Sequence, residues 1–463
     1  MFGRASFPAI FGLSVLKLLT DFMHMDFEKW RKVTIFVYTI CLNLLESSLT
    51  PKDRLACTDG KICHLDKDHL DFFVLGDTGG LSLDVGSDYL NFIKATGKLL
   101  DVQSIDLKVQ ERLAKSMADL SGKQRPEFVI TTGGNVYFNG VENVFDSRFE
   151  TVFEEVYNDD RLLLPFYMIA GNNDHLGNLS AEIEYTKYSS RWTYPRLYYK
   201  VSYSFGRQSR RVDIIFIDTT ILCGNSIDVG GRSLFSWLFS RRRVPNRPEP
   251  QWAAEAEQQW RWIEEELRDS VADYVFVVGN YPIYSIGTQG NVQCLIDRLD
   301  PLLRQYQVSA YLAGHDHNIQ FFRVDNSTGH PNSGPRTHGG LHHKDKFLGR
   351  PNYYKNGVST MHYLVSGSGS RTDFSTDNMD TAPPDLVYHY PKRRDVPLWK
   401  RILKAPELGF GWGGFVRIEV RNDTADLYFY VRDLELEFID YINRRPMIVD
   451  RKQRQKSKKS AFS

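Results

Sequence analysis

The stretch Ala310-Tyr311-Leu312-Ala313-Gly314-His315-Asp316-His317-Asn318 decides how the rest of this chain is read. Tyr311 and Leu312 read as the end of a short buried strand. Gly314 then lets the backbone turn sharply before two imidazoles spaced two residues apart. Neutral imidazoles at that spacing can face neighbouring metal positions, so the turn suits a metal centre. A solvated loop with two chance histidines is the alternative, and a short motif alone does not separate the two.

Working outward, the same design recurs upstream. Short apolar runs end abruptly in Gly-polar turns: Phe72–Leu75 into Gly76-Asp77, Phe128–Thr131 into Gly133-Gly134-Asn135, and Phe166–Ala170 into Gly171-Asn172. Val212–Ile217 runs into Asp218 and Tyr274–Val278 into Gly279-Asn280. Runs of this length, rich in Val, Ile and Phe, read as buried strands. Stretches with helical periodicity alternate with them, at Leu99–Leu120, Arg148–Tyr157 and Trp252–Leu267. The expectation is a layered α/β sandwich with its polar residues gathered at the strand ends, where open α/β sheets place their sites. Downstream, Tyr363–Val365 returns to strand, and Phe415–Val420 with Ala425–Tyr430 reads as a closing antiparallel pair.

Two interruptions and two ends frame this region. Residues 226–251 carry Gly230-Gly231, Arg241-Arg242-Arg243 and three prolines, and residues 325–357 are rich in Gly, Asn, Pro and His; both read as exposed insertions. Residues 66–438 read as a single domain, and 439–463 as a basic, disordered tail. Residues 1–50 read as an N-terminal extension. Within it, Arg31-Lys32, the apolar run Val33–Leu45 and Glu46-Ser47-Ser48 follow the order of a secretory signal. The apolar run is shorter than the roughly 20 residues that span a bilayer, so no transmembrane span is expected unless the leader stays uncleaved.

Charge balance excludes some partners. Lys+Arg number 58 against 57 Asp+Glu, which gives nucleic acid no overall attraction to the chain. Of the five cysteines, Cys41 lies in the leader, leaving Cys57, Cys63, Cys223 and Cys294 as an even set suited to an oxidising compartment. Sequons at Asn178, Asn326 and Asn422 point the same way, each being a weak signal singly. The expected location is outside the cell or in a lysosomal or endomembrane lumen.

In fixed order, the turns read Gly76-Asp77-Thr-Gly-Gly80, Gly134-Asn135-Val-Tyr137, Gly171-Asn172-Asn173-Asp174-His175, Gly279-Asn280-Tyr-Pro282 and Gly314-His-Asp-His317. This order resembles the calcineurin-like metallophosphoesterases and, among them, the tartrate-resistant (type 5) purple acid phosphatases. Arg191-Trp-Thr-Tyr-Pro195, Asp218–Ser226 and Trp412-Gly-Gly-Phe-Val416 match outside the site. The resemblance implies a four-layer αββα sandwich, a binuclear iron centre (iron with iron or zinc), and hydrolysis of phosphate monoesters at acid pH. It also implies a Cys223–Cys294 disulfide, while the even count adds Cys57–Cys63. Carried over residue by residue, it gives Asp77, Tyr137 and His317 to a ferric site, and Asn172 and His315 to a second metal.

Three positions depart from that pattern. Gly134 stands where the resemblance implies a bridging aspartate, Asn280 where it implies a second-site histidine, and Asn173 where it implies the catalytic histidine. Glycine offers no ligand, and asparagine offers a weak neutral oxygen but cannot shuttle a proton. Three readings follow. One is a weak or inactive pseudophosphatase with an unknown protein partner. Another is an acid phosphatase with an altered centre, acting on a phosphate monoester or phosphoprotein. The third is a mononuclear iron protein, one site at most being filled.

Overall fold

The computed structural model describes residues 56–80, 107–224, 253–325, 360–392 and 413–445, apart from 59, 138, 384–385 and 432–434. Residues 54–186 and 190–463 form one unit, treated below; 1–53 with 187–189 form another. The leader, the 226–251 insertion, the 325–357 insertion after Asp325 (with Asn326) and the segment after Arg445 lie outside the described residues.

Two mixed sheets carry the fold. In the seven-stranded sheet, β2 (Leu70–Leu75), β3 (Phe128–Thr131), β4 (Phe166–Tyr167) and β5 (Trp192–Thr193) run parallel. β13 (Gly414–Val420), β14 (Thr424–Val431) and β15 (Glu435–Asn443) extend it antiparallel from β2. The eight-stranded sheet runs in the order β1 (Ile62–Leu65), β6 (Tyr199–Phe205), β7 (Arg210–Phe216), β8 (Tyr274–Val278), β9 (Ala310–Ala313), β11 (Thr360–Ser366), β10 (Ile319–Asp325), β12 (Leu386–Tyr390).

Strand periodicity sorts the core into layers. Along β7 and β8, Ile214, Phe216, Phe276 and Val278 join the core shared with the seven-stranded sheet, while Ile215, Val275 and Val277 join the core beneath the helices. Rings interlock across the gap between sheets: Phe72 meets Phe276 edge-on at 5.8 Å, and Phe128 stacks on Tyr203 at 5.0 Å. Helix α4 (Ala253–Asp269) buries Ala256, Trp260, Ile263 and Leu267, a spacing that places them on one face, and α5 (Gln293–Gln305) buries Leu295, Ile296, Leu299 and Leu303 beside it. Helix α1 (Leu107–Gln124) adds Val109, Leu113 and Met117 to the other core. The expected αββα sandwich is the fold observed.

Several boundaries move. The ordered unit begins before residue 66, since β1 starts at Ile62, and it continues past 438, since β15 runs to Asn443. The first residues of the expected tail are also held: Arg444 pairs with Asp273, and buried Arg445 donates to the carbonyls of Ala272 and Tyr306. The helix read at Arg148–Tyr157 forms over residues 148–154, with Glu150–Glu154 as a wide π-type turn, and closes in a turn at 155–157. Disulfides join Cys57 to Cys63 and Cys223 to Cys294, the second tying the end of α3 (Thr219–Cys223) to the start of α5.

Candidate functional site

Both sheets deliver the carboxyl ends of their parallel strands to one edge. Asp77 follows β2, Tyr137 follows β3, Asn172 follows β4, Asn280 follows β8, and His315 and His317 follow β9. Asp77 and His315 both hold positive φ, 55° and 69°, a conformation that costs a non-glycine residue energy and clusters at functional positions.

Asp77, Tyr137 and His317 come together. The Tyr137 hydroxyl donates to Asp77 Oδ1 at 2.9 Å and lies 3.0 Å from His317 Nε2. Burial pulls the His317 pKa well below its usual value, helped by Arg371 and His315, so the ring is neutral. With Tyr137 donating to Asp77, a neutral ring donates from Nε2 to the tyrosine oxygen, and the chain runs from His317 through Tyr137 to Asp77. Asp77 Oδ2 accepts the backbone N–H of His315 at 2.7 Å. The His315 ring lies 4.7 Å from that of Tyr281.

The three departures are equally specific. Gly134 has φ +66°, and a side-chain carbon there would lie 2.6 Å from Asp77 Oδ1 and 2.9 Å from the Tyr137 hydroxyl. A side chain there would require the ends of Asp77 and Tyr137 to shift and would sit on a backbone conformation that favours glycine. Asn280 is buried and turns its amide N–H toward the Thr132 carbonyl at 2.7 Å, while its own oxygen has no partner among the described residues. Asn173 begins a short 3-10 turn with no side-chain cap.

Sequence reasoning passed over the residue that organises this turn. Asp174 is fully buried and accepts backbone N–H groups from Gly171 at 2.7 Å, Gly134 at 2.9 Å, Asn135 at 2.9 Å and Val136 at 3.0 Å. Its carboxylate thereby staples the turn after β3 to the turn after β4. Burial raises its pKa to about 6 and raises that of nearby Glu182 well above the carboxylate range. With four N–H donors on Asp174, the charge sits there and Glu182 stays a neutral acid. The signal in the sequence was an acidic residue immediately after Asn173 at a buried strand end, which spacing alone does not distinguish from a ligand.

As they stand, these donors do not fit a two-metal centre. Gly134 brings no oxygen, and Asn280 presents its N–H side to a carbonyl. Among the described residues, no group of three or more His, Cys, Asp or Glu side chains is placed to hold a metal ion. Asn178 and Asn422, the described sequon asparagines, are both exposed, and Asn178 also caps α2 (Leu179–Tyr185) by accepting the Ala181 N–H.

Comparison with known proteins places the geometry in context. The model of the calcineurin-like phosphoesterase family matches residues 70–318. Tartrate-resistant acid phosphatase type 5 of Oryctolagus cuniculus is 41% identical over 265 residues, covering 57% of this chain and 67% of that protein. The Rattus norvegicus protein of the same description is 40% identical over 223 residues, covering 48% of this chain and 64% of its own. The chain thus spans about two thirds of the length of these relatives. Among solved structures, GAP50, described as the anchor in the inner membrane complex of Plasmodium, aligns with a TM-score of 0.55 at 20% identity, covering 84% of this chain and 94% of that one.

Proposed function

The chain belongs to the calcineurin-like phosphoesterase family, and from that premise we propose that it is a purple-acid-phosphatase-like protein whose hydrolytic centre has been closed and whose scaffold serves binding. One observation carries this reading. At Gly134 the residue that would bridge two metals has no side chain, and a carbon added to its left-handed backbone would meet Asp77 Oδ1 at 2.6 Å and the Tyr137 hydroxyl at 2.9 Å. In the family's chemistry, two cations hold the attacking hydroxide and clamp the phosphate, so losing the bridge removes a ligand from both. Asn173 cannot protonate a leaving group, and Asn280 replaces an imidazole by a weaker donor.

What remains is the hydrogen-bonded set of Asp77, Tyr137 and His317. We infer that Asp77, Tyr137 and His317 hold at most one iron, with Asn172 and His315 as remnants of a second site. The GAP50 likeness supports a binding role only so far as it places an anchor protein on this scaffold. Maturation through the secretory route, with glycans at Asn178, Asn326 and Asn422, is part of the same proposal and is supported by the two disulfides. No described helix is long and apolar enough to cross a membrane.

Elemental analysis of the purified full chain, paired with an aryl phosphate assay at acid pH, tests this. The expected result is no more than one iron per chain. Turnover should fall at least on the order of 10² to 10⁴ below that of an active type 5 relative, the cost of a missing acid–base group alone. Two metals per chain, with turnover that Asp77→Ala abolishes, would overturn the proposal and establish an acid phosphatase with an altered centre.

A further inference from the structure

One buried ion pair beside the site takes no part in the chemistry above. His175, in the turn Asp174–Leu176, reaches across from the seven-stranded sheet to the end of β7, where its Nε2 lies 2.8 Å from Asp218 Oδ2. Both side chains are almost wholly buried, 4% and 0% exposed. Asp218 is itself fixed on every side. Its Oδ1 accepts the Ile221 N–H at 3.0 Å and caps α3, while Gln259 on α4 accepts its backbone N–H at 2.8 Å and donates to its carbonyl at 3.2 Å. The far end of α3 is locked to α5 by the Cys223–Cys294 disulfide. The pair therefore joins a short turn to a rigid block.

We propose that the His175–Asp218 pair is a proton-operated latch, which holds the 171–178 turn against α3 in acidic surroundings and loosens it in alkaline ones. That turn carries Asn172, Asn173 and the exposed Asn178 and Leu176, so the latch controls the presented edge of the site. The inference stands whether or not the chain hydrolyses phosphate, because it concerns how the turn is held.

Electrostatics supports the direction. Burial works against a charged imidazole, but Asp218 outweighs it, with smaller help from Asp174 beside it and Glu255 on α4, so the His175 pKa is raised above 6.5. Tyr194 also faces Asp218, and burial with the nearby acids keeps its hydroxyl protonated. A histidine pKa raised by folding contributes stability that is fully present below the unfolded value. That contribution is lost as pH rises through the folded one. A neutral ring still donates one hydrogen bond, so the latch weakens rather than vanishes.

Hydrogen exchange of the full chain, read on peptides covering 171–178 and 217–224 at about pH 5 and about pH 9 after correction for chemical exchange rate, tests the latch. Protection of both peptides should fall at the higher pH, about tenfold for each unit by which the folded pKa exceeds the unfolded one. His175→Gln, which keeps a donor toward Asp218 but cannot titrate, should remove that pH response. Equal protection at both pH values, or an unchanged response in the variant, would overturn the latch. Should His175→Gln fail to fold, an NMR titration of labelled histidine in the native chain decides. A His175 midpoint above 6.5 supports the latch, and one at or below 6.5 defeats it.

Discussion

The turn after β4 and the turn after β8 meet at the same edge, yet only one is fully satisfied. In the first, Asp174 binds backbone N–H groups of Gly171, Gly134, Asn135 and Val136. In the second, Asn280 keeps one bond to the Thr132 carbonyl, while its own oxygen and the Thr132 hydroxyl are buried without partners among the described residues. The difference teaches that the site was not simply stripped of ligands. Around Asp174 four backbone N–H groups close on one carboxylate, and Gly134 among them holds a left-handed backbone that disfavours a side chain. Around Asn280 a polar residue occupies an imidazole's position with half its capacity unused. Deleting each buried polar group should therefore have opposite consequences.

The largest effect is expected at Asp174. Asp174→Ala strands four backbone donors, each costing about 1–3 kcal/mol when buried without an acceptor, so the loss should exceed about 4 kcal/mol even after partial rearrangement. Urea unfolding measures it. A loss under about 1 kcal/mol would show that the staple is ornamental and would break the contrast between the two turns.

Next comes the rigid block behind the second turn. Cys223 and Cys294 are 71 residues apart, and closing a loop of that length in the unfolded chain is worth about 4 kcal/mol, against about 2 kcal/mol for the six-residue separation of Cys57 and Cys63. The double variant Cys223→Ser/Cys294→Ser should accordingly lose about twice what Cys57→Ser/Cys63→Ser loses. Equal losses would mean that native packing, not chain entropy, sets the value of these bonds.

Gly134→Asp probes the closure directly. A left-handed residue costs a side-chain-bearing amino acid about 1–2 kcal/mol, and the added carbon would press on Asp77 Oδ1 at 2.6 Å. The variant should lose about 2 kcal/mol or more, and it should take up no second metal by elemental analysis. A variant as stable as the native chain that does gain metal would show that the turn can reopen. Closure would then rest on side-chain loss alone.

The sheets were legible because Phe72–Leu75 of β2, with β3, β8 and β9, are short, mostly apolar runs that end at or beside glycine. The triad was legible because family spacing survives around Asp77, Tyr137 and His317. What escaped was buried polarity. Strand β6 reads Tyr-Lys-Val-Ser-Tyr-Ser-Phe and shows no apolar run, yet Ser202 is buried because it donates to Asp213, which in turn accepts from Ser270. Asp71 sits inside a wholly buried strand because Arg417 on β13 binds its carboxylate. Helix α5 escaped because Pro301 lies inside it. Asp174 and the His175–Asp218 pair escaped for the same reason as Ser202: their partners are brought together only by folding.

The smallest effect is expected at Asn280, and it is the sharpest check on the comparison. Asn280→Ala removes one hydrogen bond and leaves the Thr132 carbonyl unpaired, a loss of about 1–3 kcal/mol by itself. The same change removes a buried amide oxygen with no partner among the described residues, whose desolvation already costs the folded state a similar amount. The two terms oppose each other, so the net change in unfolding free energy should stay within about 1 kcal/mol. Asp174→Ala has no such compensation, since both of its oxygens are engaged. Measured side by side in urea, the pair should differ by about 3 kcal/mol or more. If Asn280→Ala instead costs as much as Asp174→Ala, the Asn280 oxygen must have a partner in solution, such as an ordered water. The second turn would then be as complete as the first.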